Sequence, residues 1–596
     1  VSDPVIQPQD WWMYHKDPAH TGFVGLQESR IHAGNVADHL KQKFELELDG
    51  PVLSVPAVVQ GFVYVGIANS RLAEGGNGGT LYKISLDSGA IAAHYTWNTP
   101  VDQRDSHGFT GMGCTPAVKD GRVIFSAFDG KVFCLCAGDL SEQWVLNLRF
   151  PDPAHGQPVD NSGGISLEGY PPAAGWSSPV IVGERAYVGF GEGENPFAWS
   201  FVYSIEVTTG NVDWLFCTNQ LRAGEANRPN VIPLGALPKG KKLPKKYCVF
   251  EGEPITLGCS VWSSIAYDAQ SGWLICATGN AVPDGPLPSL GYSNGLLALD
   301  AKTGEFRGFW QVPAYSNYRP SDFDVDIGGS PVIFTRNADR ARQTIAVACK
   351  NGAFFLVNLE NLSPVAWRQM LPYTNDGLQI PTVDAHPPGS EPNPRLTNAQ
   401  SNATQGENYY GSYSTPAVQP TRQQVFVGVG GNNYHTGDAG IDFETTPFLR
   451  ALSWSNVADA WPLDDGDPQR YAKAKPPMYT NPGEGALSSP AVANDVVFCS
   501  TNRVALYAFS TADGTPLWSD VLGEQTGGYQ GGYGYCMGPA IYGDYVVAGA
   551  LIYGRKGGLL RIYQLQDAAP PPSEAALQAT RERQREIVER RRGSGE

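Results

Sequence analysis

The chain has no run of about 18 apolar residues, so nothing in it reads as a membrane-spanning helix. Its start, "VSDPVIQPQD", lacks the charged stretch and apolar core of a leader. Long patterns of helical period are nearly absent. The ten cysteines include no CxxC, no CxxCH and no adjacent pair, which excludes covalent haem by its usual attachment motif and leaves any disulfides unassigned. Cys134 and Cys136 of "FCLCAG" share one strand face, too far apart for an easy bond to each other. Positive charge is in deficit: 43 Lys and Arg against 59 Asp and Glu give a net charge of −16. That argues against nucleic acid as a partner, because phosphate binding needs a basic face. No GxGxxG follows a strand, so no dinucleotide fold is indicated.

What is present suits many short strands. The 596 residues hold 69 glycines and 46 prolines, and aromatics reach 11%. Self-comparison shows a unit that opens on a small residue and proline, runs through two short apolar strands, and closes on "TG" and a tryptophan. Openings include "SVPAVVQGFVYVG", "GCTPAVKDGRVIFSA", "WSSPVIVGERAYVGF", "GGSPVIF" and "LSSPAVANDVVFCST". Eight such units, each read as a four-stranded antiparallel sheet, predict an all-β, eight-bladed propeller over residues 1–567. The last unit ends at "LLRIYQL" without its tryptophan strand, so the N-terminal strand is expected to complete that blade and close the ring. His15 and His20 of "HKDPAH" lack the spacing that sets two ligands on one helix face and are read as structural.

Residues 568–596 form a proline-rich spacer and a charged tail, expected to be solvated. The five lysines of "KGKKLPKKY" (239 to 247) read as a solvent-facing loop, with an electrostatic docking patch as the alternative.

A propeller fixes no function, so the site has to come from polar residues at strand ends. "YVGFGEGEN" sets Glu192 and Glu194 among glycines after a strand. "VWSSIAYDAQSGWLICATGN" offers the flat face of Trp262 and the carbonyl of Asn280. "SDFDVDIGGSP" places Asp322, Asp324 and Asp326 on alternate positions before a buried strand, and Lys350 precedes an "NG" turn. Hard oxygen ligands, a stacking face, a base and a cation in three consecutive units are what a metal-assisted cofactor site needs.

At these residues the sequence resembles the pyrroloquinoline quinone (PQQ)-dependent alcohol dehydrogenases, eight-bladed propellers that bind the quinone near the axis above a metal ion. The resemblance covers most of residues 10 to 566. It implies Glu194 and Asn280 as metal ligands, Trp262 as the stacking ring, Lys350 as the contact to the quinone oxygens, and Asp324 as both catalytic base and metal ligand. Asp326 corresponds to the extra aspartate of lanthanide-using members and would be a further metal ligand, with calcium the default ion, and Ser177 and Ser178 lie in a quinone-contacting segment. "DFDVDIGGSP" is closer to polyvinyl-alcohol-dehydrogenase-like relatives. The family's adjacent cysteine pair is missing: the matching "FTGMGCTPAV" has only Cys114. The expectation is a soluble periplasmic or extracellular dehydrogenase, its export signal already removed. It would oxidise a small or polymeric alcohol and pass electrons to an external acceptor such as a cytochrome c. The rival is a non-catalytic propeller acting as a binding or assembly scaffold, which the missing cysteine pair favours.

Overall fold

The computed structural model describes residues 6–99, 109–148, 175–191, 200–218, 231–233, 257–279, 281–282, 292–312, 326–337, 342–350, 353–370, 412–429, 448–461, 488–501, 505–521, 538–551 and 557–566. Helix among them is confined to Val36–His39 and the 3-10 turn Glu74–Gly76. The remainder is strand and turn, arranged as eight antiparallel blades around an axis. Glu192, Glu194, Asn280, Asp322 and Asp324 lie outside the described residues, as do the lysine-rich loop and the tail.

The small-residue and proline step of each unit has a physical cause. The residue before the proline, or before Ile265 in blade four, carries a hydroxyl in blades two to seven. From blade three to blade seven, each hydroxyl accepts the backbone N–H of its counterpart in the preceding blade. Thr115 donates to Ser178 at 2.9 Å, Ser178 to Ser264 at 3.1 Å, Ser264 to Ser330 at 2.9 Å, Ser330 to Thr415 at 2.8 Å and Thr415 to Ser489 at 3.0 Å. These bonds satisfy buried backbone donors that no sheet ladder reaches, and they stitch six blades into a belt. In blade eight the position is Gly538, where a Cβ would stand 2.1 Å from the Ser489 carbonyl oxygen.

The "TG" and tryptophan are two halves of one lock. The outer-strand indole of one blade donates to a carbonyl of the next: Trp144 to Val207 at 3.0 Å, Trp214 to Ala301 at 3.3 Å and Trp461 to Thr511 at 3.1 Å. The glycine of the receiving turn lies under the ring. At Gly304 φ is +73°, and a Cβ would meet Trp214 at 2.6 Å.

The ring closes as the sequence predicts. Leu40–Leu48 pairs antiparallel with Gly558–Leu565 as the outer strand of blade eight. Phe44 on that strand takes the tryptophan's place, over Gly89 of blade one.

One feature was not foreseen. Residues 11 to 24 cross the inner strands one blade after another, always three residues beyond the belt position. Trp11 bonds Val58 in both directions, and the carbonyls of Trp12, Pro18, Ala19, Thr21 and Gly22 accept the N–H groups of Val118, Tyr267, Ile333, Val418 and Val492. Three residues of strand are about 10 Å, so this segment seals the axis one layer below the belt. Tyr14 touches the belt itself, with its hydroxyl 2.7 Å from Thr415 Oγ1 and 3.0 Å from Ser489 Oγ. His15 and His20 are structural, as expected: His15 lies between the carbonyls of His20 (2.6 Å) and Pro490 (2.9 Å), and His20 Nδ1 lies 3.0 Å from that of Pro331.

Candidate active site

The described candidate residues Trp262, Asp326 and Lys350 lie on the opposite side of the belt. Trp262 stands two residues before the belt serine of blade four, and Asp326 four residues before that of blade five. Lys350 follows the second strand of blade five, where an isolated bridge between Ile327 and Cys349 and a 2.9 Å bond from the Lys350 N–H to the Asp326 carbonyl hold the two segments together.

These three side chains meet. The Trp262 indole donates to Asp326 Oδ2 at 2.9 Å, and Lys350 Nζ lies 2.9 Å from Asp326 Oδ1. The Asp326 side chain is 1% exposed and that of Lys350 8%. Burial of a carboxylate at this depth needs a compensating charge and donors, and both are supplied. The ammonium also faces two rings, 4.8 Å from the Trp262 centroid and 5.2 Å from that of Tyr413. Burial, and then the Asp326 charge, push the neighbouring Cys349 thiol far up, so Cys349 is no nucleophile.

A fourth group is Ser260. Its hydroxyl is fully buried and has no hydrogen-bond partner among the described residues. A Cβ on Gly279 would stand 2.5 Å from Ser260 Oγ and 3.2 Å from Asp326 Oδ2, so the two oxygens face the same small space. Only glycine fits there. The segments that carry the proposed metal ligands begin beside this wall. Gly279, which precedes Asn280, donates to the Ser260 carbonyl at 2.7 Å. Gly191 and Ser200, which bracket residues 192–199, both pack close: a Cβ on Gly191 would meet Ser200 Oγ at 2.3 Å and Ser260 Cβ at 2.8 Å.

Of the predicted site residues, Trp262, Asp326 and Lys350 are thus brought together. Ser177 is fully buried, its carbonyl accepting from Ser126 Oγ at 2.7 Å, and its hydroxyl has no partner among the described residues. Cys114, at the place of the missing pair, exchanges hydrogen bonds with the backbone of Ser126, and burial pushes its thiol up to about 11. Ser260 and Tyr413 were missed. Alignment of the units on the belt hydroxyl finds both, because Ser260 is the blade-four counterpart of Asp326, and Tyr413 the blade-six counterpart of Trp262.

A buried carboxyl group, a half-buried indole and a confined ammonium thus meet at one place in the fold. Among known proteins, the family model described as PQQ glucose/ethanol/alcohol dehydrogenase, β-propeller domain, matches residues 170–382. The quinohemoprotein alcohol dehydrogenase of Comamonas testosteroni is 24% identical over 86% of this chain and 69% of its own length. The dehydrogenase subunit of the quinone alcohol dehydrogenase of Gluconacetobacter polyoxogenes is 23% identical over 59% of this chain, but only 44% of its own length is covered. Among solved structures, the Comamonas enzyme superposes with a TM-score of 0.62 at 17% identity, covering 95% of this chain and 82% of that one. A europium-containing methanol dehydrogenase gives 0.57 at 16% identity, covering 94% and 98%. These superpositions show a common fold. The propeller, the matched stretch and these relatives agree: the chain is similar over most of its length to the PQQ-dependent alcohol dehydrogenases.

Proposed function

We propose that this protein is a PQQ-dependent dehydrogenase that oxidises an alcohol and passes the electrons to an external acceptor. The observation that carries the reading is the buried Asp326 carboxylate, joined to the Trp262 indole and the Lys350 ammonium. PQQ, when bound, supplies an electrophilic quinone that takes up the two electrons released as the alcohol becomes a carbonyl compound. The residues present fit that group. Trp262 offers a half-buried ring to stack on, Lys350 a cation for quinone oxygens, and Ser260 a buried hydroxyl in need of a partner.

The base takes the hydroxyl proton of the alcohol. The family resemblance gives that role to Asp324. Asp326, which stands beside the stacking ring and pairs with Lys350, is a second candidate for that role. Glu194, Asn280 and Asp324 are the proposed metal ligands. Both Asp326 oxygens are already engaged by Lys350 and Trp262, so it adds little charge toward a trivalent ion, and calcium suits the site better than a lanthanide. No helix among the described residues is long and apolar enough to cross a membrane. The electrons leave to an acceptor such as a cytochrome c, and export to the periplasm or beyond goes with this reading.

The test is reconstitution with PQQ and either calcium or lanthanum, followed by the quinone absorbance band and dye reduction with small alcohols and a polymeric one. A band and turnover with calcium are expected. Absence of the band under both metals would leave the scaffold reading in possession.

A further inference from the structure

Counting from the belt hydroxyl, the position two residues earlier holds Trp262 in blade four, Gly328 in blade five and Tyr413 in blade six. The middle position has no room for a side chain: a Cβ on Gly328 would lie 2.1 Å from the Ser412 carbonyl oxygen and 3.0 Å from the Tyr413 Cα. Lys350 belongs to the same blade as that glycine, and its ammonium faces the rings on both sides, at 4.8 Å and 5.2 Å. An ammonium on a four-carbon stem is strongly hydrated and mobile in water. At 8% exposure it has surrendered that water, and the π faces of Trp262 and Tyr413 replace part of it while Asp326 supplies the counter-charge.

From this we infer that Tyr413 is a positioning residue for Lys350: its ring, brought close by the backbone approach that Gly328 permits, forms one wall of a two-ring seat that holds the ammonium on Asp326. Neither the tyrosine nor the glycine belongs to the proposed set of metal, quinone and base residues. The consequence for catalysis rests on the dehydrogenase reading, but the seat itself does not. A ring wall keeps the cation in place without adding a competing anion, so the Asp326 carboxylate stays available to accept a proton.

The experiment measures how fast Lys350 is reductively methylated in metal-free and quinone-free protein, by peptide mass spectrometry. Lys83 serves as the internal reference: it is 7% exposed, lies in blade one, and donates to the Ala137 and Gly138 carbonyls. Tyr413→Leu is expected to speed Lys350 labelling at least ~10-fold with Lys83 unchanged, the energy of one desolvated cation–π contact being of that order. Tyr413→Phe, which keeps the ring, is expected to label at the wild-type rate. If Tyr413→Leu also speeds Lys83, the whole ring has loosened, and Tyr413→Met, which refills the volume without a π face, decides: a wild-type Lys350 rate in that variant overturns the proposal. In reconstituted protein, Tyr413→Leu should lower kcat and Tyr413→Phe restore it. Failure of reconstitution removes the dehydrogenase reading and leaves the labelling result standing.

Discussion

The Asp326 carboxyl group lies where almost no water reaches it, between an ammonium and an indole N–H. An ionised carboxylate at 1% exposure is tolerable only because an ammonium and an indole N–H meet it, one on each oxygen. If it is the base, Asp326→Asn can keep the indole bond through its amide oxygen, but it removes proton acceptance together with the counter-charge of Lys350. Turnover in reconstituted protein should then fall ~100- to 10,000-fold with the quinone band intact. Asp324→Asn, made in parallel, should weaken metal dependence more than turnover at saturating calcium; the reverse ranking would return the base to Asp324. Trp262 and Lys350 were legible in the sequence, because a tryptophan before "SS" and a lysine before "NG" sit in recognisable surroundings. That Asp326 meets both was not legible, since alternation alone puts residues 324 and 326 on one face and says nothing of what that face meets. Ser260 and Tyr413 stayed hidden for a related reason: serine and tyrosine are common in strands, and only the register against other blades singles them out.

At the scale of the element, the repeat is legible because each of its letters answers a neighbouring blade. The hydroxyl before the proline receives an N–H from one side, and the glycine of "TG" receives an indole from the other. A motif that satisfies contacts between copies recurs in most of them, which is why eight blades and their closure could be counted from sequence. Removing one belt hydroxyl leaves a buried backbone N–H without a partner, at a cost of about 1–3 kcal/mol. Ser264→Ala should accordingly lower the urea midpoint with the m-value unchanged, while Ser264→Thr, the choice already made at Thr115 and Thr415, should be nearly neutral. An unshifted midpoint in the alanine variant would reduce the belt to a geometric coincidence. Gly304→Ala should cost more than its helix or strand propensity suggests, because it strains a positive φ and strikes Trp214 at once.

For the whole molecule the least legible part was the axial seal. "DWWMYHKDPAHTGF" has no period and reads as an irregular lead-in to the first blade, yet it bonds the inner strands of six blades in turn. Its order comes from contacts with residues up to several hundred positions away, which no local pattern encodes. The seal also makes the ring sensitive to acid. His20 is fully buried against Tyr14, with Nδ1 committed to the Pro331 carbonyl and Nε2 without a hydrogen-bond partner among the described residues. Burial, and then the nearness of His15, bring its pKa down to about 3, and burial lowers His15 as well. Above pH ~6.5 both folded and unfolded chains hold the imidazole neutral, so it costs nothing. Below that value the unfolded chain takes up a proton that the folded chain refuses, so stability falls as pH falls, by up to about 1.4 kcal/mol per pH unit for His20, until the folded group itself protonates near pH 3. Denaturant titrations between pH 7 and 4 should show that slope in the wild-type protein and a shallower one in His20→Gln, whose side chain offers the Pro331 carbonyl a donor but cannot titrate. Equal slopes in the two proteins would mean that His20 is solvated in the folded state and that the axis is open where the chain is seen to cross it.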